Sequence, residues 1–305
     1  MQVYQIEMES QQVKTQMVSV TLLQALLSVL IEGSKGALRL QTEGRSTVRG
    51  APPQWIKAAT TFSMAFKENK LHVESPTLFD AAPEIFKQND WFADLNPQST
   101  SLDYFQDSLA GVLNPELLDS LYDKALLEAF QGFRHIFNHG VDKIHFLNKK
   151  GLYVTSETIT MFKEREASLP FPCPVKVLGH LEAVRVQDRT FKLVTVQDEH
   201  VIKGIAKHIA HKKLQTLLNK KVLISGIAYF TMTGKTLRIE AEQIAIAGDR
   251  ELALWSNLPV SILSKSNANQ YKVSYGSQTD DHTIFDQWPE GETEEELAKW
   301  RTRLS

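Results

Sequence analysis

The chain of 305 residues has a single cysteine, Cys173. One thiol cannot form an internal disulfide, and a reducing, cytoplasmic setting is expected. Cys173 sits among prolines in "FPCPV" and reads as a small packed residue rather than a nucleophile. Long apolar runs are scarce as well. The longest, "VSVTLLQALLSVLI" from Val18 to Ile31, is interrupted by Gln24 and two serines. It is shorter than the roughly 20 residues a membrane crossing needs and reads as a buried helix. The start, "MQVYQIEMES", has no basic stretch ahead of an apolar one, which argues against an export signal. There is no glycine-rich phosphate loop, no nucleophile elbow and no pair of closely spaced cysteines. No catalytic residue, metal ligand set or cofactor is therefore assigned. An enzyme whose site assembles from distant residues of the N-terminal part stays open.

What is present is organisation. A composition 42% hydrophobic and 23% charged is that of a globular protein, and the length suits two domains. Residues 1–168 read as an α+β domain. "VYQIEM" alternates as a strand, and the apolar helix 18–32 is expected to close at Gly33 or Gly36. "GALRLQTEG" then alternates as a half-buried strand, and "QWIKAA" forms a helical turn after Pro52 and Pro53. "TTFSMAFKENKLHVES" gives two strands, "PTLFDAAPEIF" a short helix, and 89–99 a polar loop. Helices are expected at "TSLDYFQDSLAGVL" and, with proline in its first turn, at "PELLDSLYDKALLEAFQGF". "KIHFLNKKGLYVTS" reads as a hairpin and "ETITMFKEREA" as a closing helix. Three prolines in "SLPFPCPV", 168–175, mark the boundary.

Residues 174–249 give three strands, a helix and two strands, with glycines inside the strands at Gly179, Gly204 and Gly226. This order resembles an OB-fold, a small five-stranded barrel with its helix between the third and fourth strands. A five-stranded half-barrel of other topology is the alternative. The stretch carries twelve Lys and Arg against seven Asp and Glu, a net charge of +5, with four histidines. OB-like barrels bind single strands with cations and stacked rings. Lys176, Arg185, Arg189, Lys192 and Lys203 are the candidate nucleic-acid contacts. The aromatic supply is small (Phe191, Tyr229 and Phe230), and parity puts Arg238, Glu240 and Glu242 on one mixed outer face. A solvated surface on a structural barrel explains the same charges. His135 with His139, and His208 with His211, have helical spacing but no visible third metal ligand.

Residues 250–279 read as a packing segment and linker, and 280–305 as an acidic tail with eight acids against three bases, a charge of −5. Thr293 and Glu296 form a capping-box pattern, and Leu297, Trp300 and Leu304 make an apolar stripe on a short helix. Isolated helices this short are marginal in water. The tail is therefore expected to be helical only when docked, either on its own barrel or on another protein. "WPEGETEEEL" resembles the acidic Trp-Pro tails of bacterial antitoxins paired with PIN-domain ribonuclease toxins, with Glu290-Gly291 where glycine then acid is usual. The resemblance implies a non-enzymatic interaction protein whose tail wraps a toxin. Trp288, Leu297 and Trp300 would anchor it, and Arg301 or Arg303 would reach the toxin's carboxylates. The alternative is a single-stranded nucleic-acid binder that uses the barrel.

Overall fold

The computed structural model describes residues 1–10, 18–67, 70–88, 90–114, 116–117, 120–149, 151–196 and 199–248, all within one compact unit that spans 1–267. The expected segment 250–279 and tail 280–305 lie outside the described residues.

The first layer is an antiparallel sheet built around β1 (Gln2–Glu9). The hairpin of β2 (Ser63–Lys67) and β3 (Lys70–Ser75) joins one side of β1. That of β4 (Lys143–Phe146) and β5 (Tyr153–Thr155) joins the other, giving the order β2-β3-β1-β4-β5. Alternation along β1 buries Tyr4 and Ile6. The buried Tyr4 hydroxyl donates to Asp103 Oδ1 at 2.6 Å and is hydrogen-bonded to Thr100 Oγ1 at 2.7 Å. Burial first, then the neighbouring carboxylate, raises its pKa. This ties the sheet to the capping box of α5 (Ser101–Leu113), in which Thr100 and Asp103 bond reciprocally.

α1 (Val20–Glu43) starts at Ser19, whose hydroxyl accepts from the Leu22 N–H. It packs on the sheet with α5, α6 (Lys124–Gln131), α7 (Phe133–Phe137) and α8 (Ser156–Ser168). Phe105, Phe130, Phe133, Phe146 and Phe162 form the centre of this core. Phe105 meets Phe130 edge to face at 5.5 Å, a geometry that contributes about 0.5–1.5 kcal/mol beyond burial.

Two sequence expectations are corrected here. α1 does not end at Gly33 or Gly36 but runs through "GALRLQTE", which is helix rather than strand. A Cβ at Gly33 would lie 2.5 Å from the Phe105 ring, so this glycine permits close helix packing instead of closing a helix. The stop is Gly44, at φ 69°, in the left-handed region that glycine adopts most readily. The second correction concerns 115–133. The described residues before Lys124 are not helical. α6 begins only where Asp123 accepts from the Leu126 N–H, and α7 follows as a separate helix.

A second layer of side chains joins this sheet and its helices to the barrel. α2 (Gln54–Ala59), α3 (Leu78–Ala81), α4 (Pro83–Gln88) and a 3-10 turn at Asp90–Phe92 surround Leu38, Trp55, Ile56, Leu78, Trp91, Phe92 and Leu95. Residues 89–99, expected as a polar loop, thus contribute three buried apolar side chains. Ala183 of the barrel packs against the same cluster.

The barrel is closed. β6 (Cys173–Arg185) pairs with β9 (Lys221–Phe230) through its first half and with β7 (Thr190–Thr195) through its second, with a register shift between Leu181 and Ala183. β7 pairs with β8 (Val201–Ile205), β8 runs parallel to β10 (Thr236–Ile246), and β10 returns to β9. The order is β10-β8-β7-β6-β9. α9 (His211–Leu217) lies between β8 and β9 in the chain and buries Leu214 and Leu217 in the barrel core. Cys173 is buried in that core, and burial pushes its thiol pKa up. No helix among the described residues is long and apolar enough to cross a membrane.

Candidate nucleic-acid interface

Lys192 of β7 and Lys203 of β8 are direct cross-strand partners. Two ammonium groups so placed repel each other unless something neutralises them. Asp94 does this, with Oδ2 at 3.8 Å from Lys192 Nζ and 3.5 Å from Lys203 Nζ. The Lys203 amine also donates to the Gln41 carbonyl at the end of α1. The Lys192 amine stands 5.6 Å from the Trp91 ring centre, and the Arg185 guanidinium 5.1 Å from that of Phe92. Arg185 is further paired with Asp188 at 3.2 Å. Burial lowers the Lys203 pKa, and Asp94 opposes that shift. Three of the five candidate nucleic-acid contacts, Arg185, Lys192 and Lys203, are therefore engaged, the two lysines where segment 91–95 covers the barrel.

A second region forms around the stop of α1. The Gly44 carbonyl accepts from Arg238 Nη1 at 2.9 Å, and Arg238 Nε donates to Glu240 at 3.1 Å. The Arg238 guanidinium lies 3.6 Å from the ring centre of Tyr229, its cross-strand partner on β9. Parity correctly puts Arg238 on the outside of the barrel, yet it is buried there, against the Gly44 stop of α1. Arg45 pairs with Glu43 at 2.9 Å, both buried. The Asp123 carboxylate holds the Ser46 N–H and hydroxyl as well as capping α6.

Past these anchors the loop 47–50 emerges, and between it and the barrel lies an open-sided cleft of about 1000 Å³. Arg49 of that loop and Lys124 of α6 line it on one side, Lys207, His208 and the half-buried Tyr229 from the barrel. Its acids are already engaged: Asp123 by Ser46, Glu240 by Arg238, and Glu128 beside Lys124. Lys124 also pairs with Glu166 at 3.1 Å. Arg49 and Lys207 have no ion pair among the described residues.

Of the remaining candidates, Arg189 occupies the β6–β7 turn at φ 54° and donates to the Lys207 carbonyl, which places it beside the cleft. Lys176 is exposed on β6. Trp288, Leu297, Trp300, Arg301 and Arg303 lie outside the described residues. His135 is on α7 and His211 opens α9, and no cluster of three or more potential metal ligands occurs among the described residues. The choice of candidates from sequence missed Arg49, Lys207, His208 and Tyr229 as a group. No spacing signal joins a loop after α1 to a strand near the end of the barrel. Comparison with family models, curated proteins and solved structures returns no match.

Proposed function

We propose that this chain is a non-enzymatic binding protein that takes single-stranded nucleic acid with an OB-like barrel. The observation that carries the reading is the connectivity. Numbered within the barrel, the strands close in the order one-two-three-five-four, the third and fifth are parallel, and the helix lies between the third and fourth. Those are the features of the OB arrangement, a common platform for oligonucleotides. The net charge of +5 over 174–249 points the same way. The test is anisotropy of a labelled oligothymidylate titrated with the full chain. Binding at low salt should weaken as salt rises, with each phosphate contact adding about −0.7 to the slope of log K against log salt. Absence of binding at low salt refutes the reading.

A second reading rests on the tail. The Thr293–Glu296 capping pattern, the Leu297, Trp300 and Leu304 stripe and the antitoxin-like "WPEGETEEEL" support a segment that folds on a protein partner, with a PIN-type ribonuclease toxin as the partner class. Burying each large apolar side chain contributes roughly 2 kcal/mol, enough to offset the ordering of a short helix. Deleting 280–305 should abolish co-purification with that partner. Unchanged affinity of the truncated chain removes this reading.

A further inference from the structure

We propose that the strand binds in the cleft between loop 47–50 and the barrel, at Arg49, Lys207, His208 and Tyr229, because the protein's own segment 91–95 closes the face formed by β7 and β8. The inference rests on the nucleic-acid reading above and assigns its site.

OB-like barrels commonly present their second and third strands to the ligand. In this chain those strands are β7 and β8, and their outer face is already filled. Trp91 and Phe92 lie against Lys192 and Arg185, as bases lie against cations in a bound strand. Asp94 supplies the negative charge between Lys192 and Lys203, as a phosphate would. Both rings are buried and share a core with Trp55 and Leu38. A strand could reach this face only by expelling them.

The cleft has the opposite balance. Its carboxylates have partners within the protein, whereas the side chains of Arg49 and Lys207 have no ion pair among the described residues. These two cations approach it from different elements, the loop after α1 and the barrel, so a phosphodiester chain between them would neutralise both. One side of the Tyr229 ring is held by the Arg238 guanidinium, which fixes the ring in the wall of the cleft. A base stacks on such a ring without regard to its identity. The volume, about 1000 Å³, is at the top of the range of roughly 300–1,000 Å³ for small-molecule sites. With one side open, it fits a strand passing through better than an enclosed metabolite.

The experiment compares two charge reversals in the full chain with labelled oligothymidylate. R49E/K207E alters the cleft. K220E/K221E makes the same change in net charge at the far end of β9 from Tyr229. The first should lower affinity more than a hundredfold and flatten the salt slope by about 1.4, two single-strand phosphate contacts. The second should change affinity by less than about threefold, since it removes no phosphate contact. Tyr229→Leu should weaken binding about five- to hundredfold, with the salt slope unchanged. Equal losses from both reversals would mean that only net charge matters, and would overturn the cleft while leaving the nucleic-acid reading in place. Normal binding by R49E/K207E would do the same. If the parent chain binds no oligonucleotide at low salt, both fall together. Circular-dichroism melts of each variant establish that a loss is not one of folding.

Discussion

Lys192 and Lys203 stand side by side over β7 and β8, and Arg49 and Lys207 flank the cleft a short way round the same barrel. The first pair shares the Asp94 carboxylate, and Lys192 also lies beside the Trp91 ring, both supplied by the protein itself. The second pair has a tyrosine and, among the described residues, no ion-pair partner. Cations beside aromatic rings act on one side as mortar between the barrel and the segment packed on it. On the other they are left for something from outside. Counting lysines and arginines along a strand cannot separate these cases, because what distinguishes them is a residue contributed from elsewhere in the chain.

The comparison is most sharply tested by removing the mortar. Trp91→Ala takes a buried indole from the joint and should cost about 3–5 kcal/mol, read as a fall in the urea midpoint. A loss under about 0.5 kcal/mol, within the range of ordinary surface substitutions, would show that the covered face is not held by this segment. Gly204→Ala acts just beneath that face. Its Cβ would lie 1.9 Å from the Phe191 ring inside the barrel, and overpacking of this kind should cost about 2–3 kcal/mol in the same assay.

Asp94→Asn leaves the two lysines facing each other without a carboxylate. The loss should be about 1–2 kcal/mol near neutral pH, because Asp94 is half-exposed and solvent already screens it. The sign with pH follows from Lys203. Burial lowers its pKa below the ordinary 10.5, so between the two values the unfolded chain binds more protons than the folded one. Stability from this group therefore rises with pH across that window. Without Asp94 the Lys203 pKa falls further and the window opens at lower pH. The difference between variant and parent should thus shrink as pH rises toward 10, and a difference that stays constant would exclude Lys203 as its source. The smallest effect belongs to the open side. R49E/K207E should change stability by less than about 0.5 kcal/mol, since neither residue has an ion pair to lose among the described residues.

Much of the fold is readable from local pattern. β1, the two hairpins of the first sheet and the three-strand, helix, two-strand order of the barrel follow from alternation and turn residues. The misreadings share one cause, which is tertiary contact. Gly33 and Gly36 look like helix stops, but Gly33 is small because Phe105 lies against it. "GALRLQTE" alternates like a strand, yet the helix carries through it to the Gly44 stop. Residues 89–99 have the composition of a loop, and Trp91, Phe92 and Leu95 within it fill the joint. The site was harder to read than the fold. Lys192 and Lys203 were conspicuous because they lie on regular strands. Arg49 sits in an irregular loop, and only folding brings it beside Tyr229.

The central claim is a choice between two faces of one barrel. The direct measurement is photo-crosslinking of a thiothymidine-substituted single strand to the full chain, followed by peptide mapping. Adducts at Tyr229, in 47–50 and at 207–208 are the predicted result. Adducts confined to β7 and β8, at residues 190–205, would contradict it.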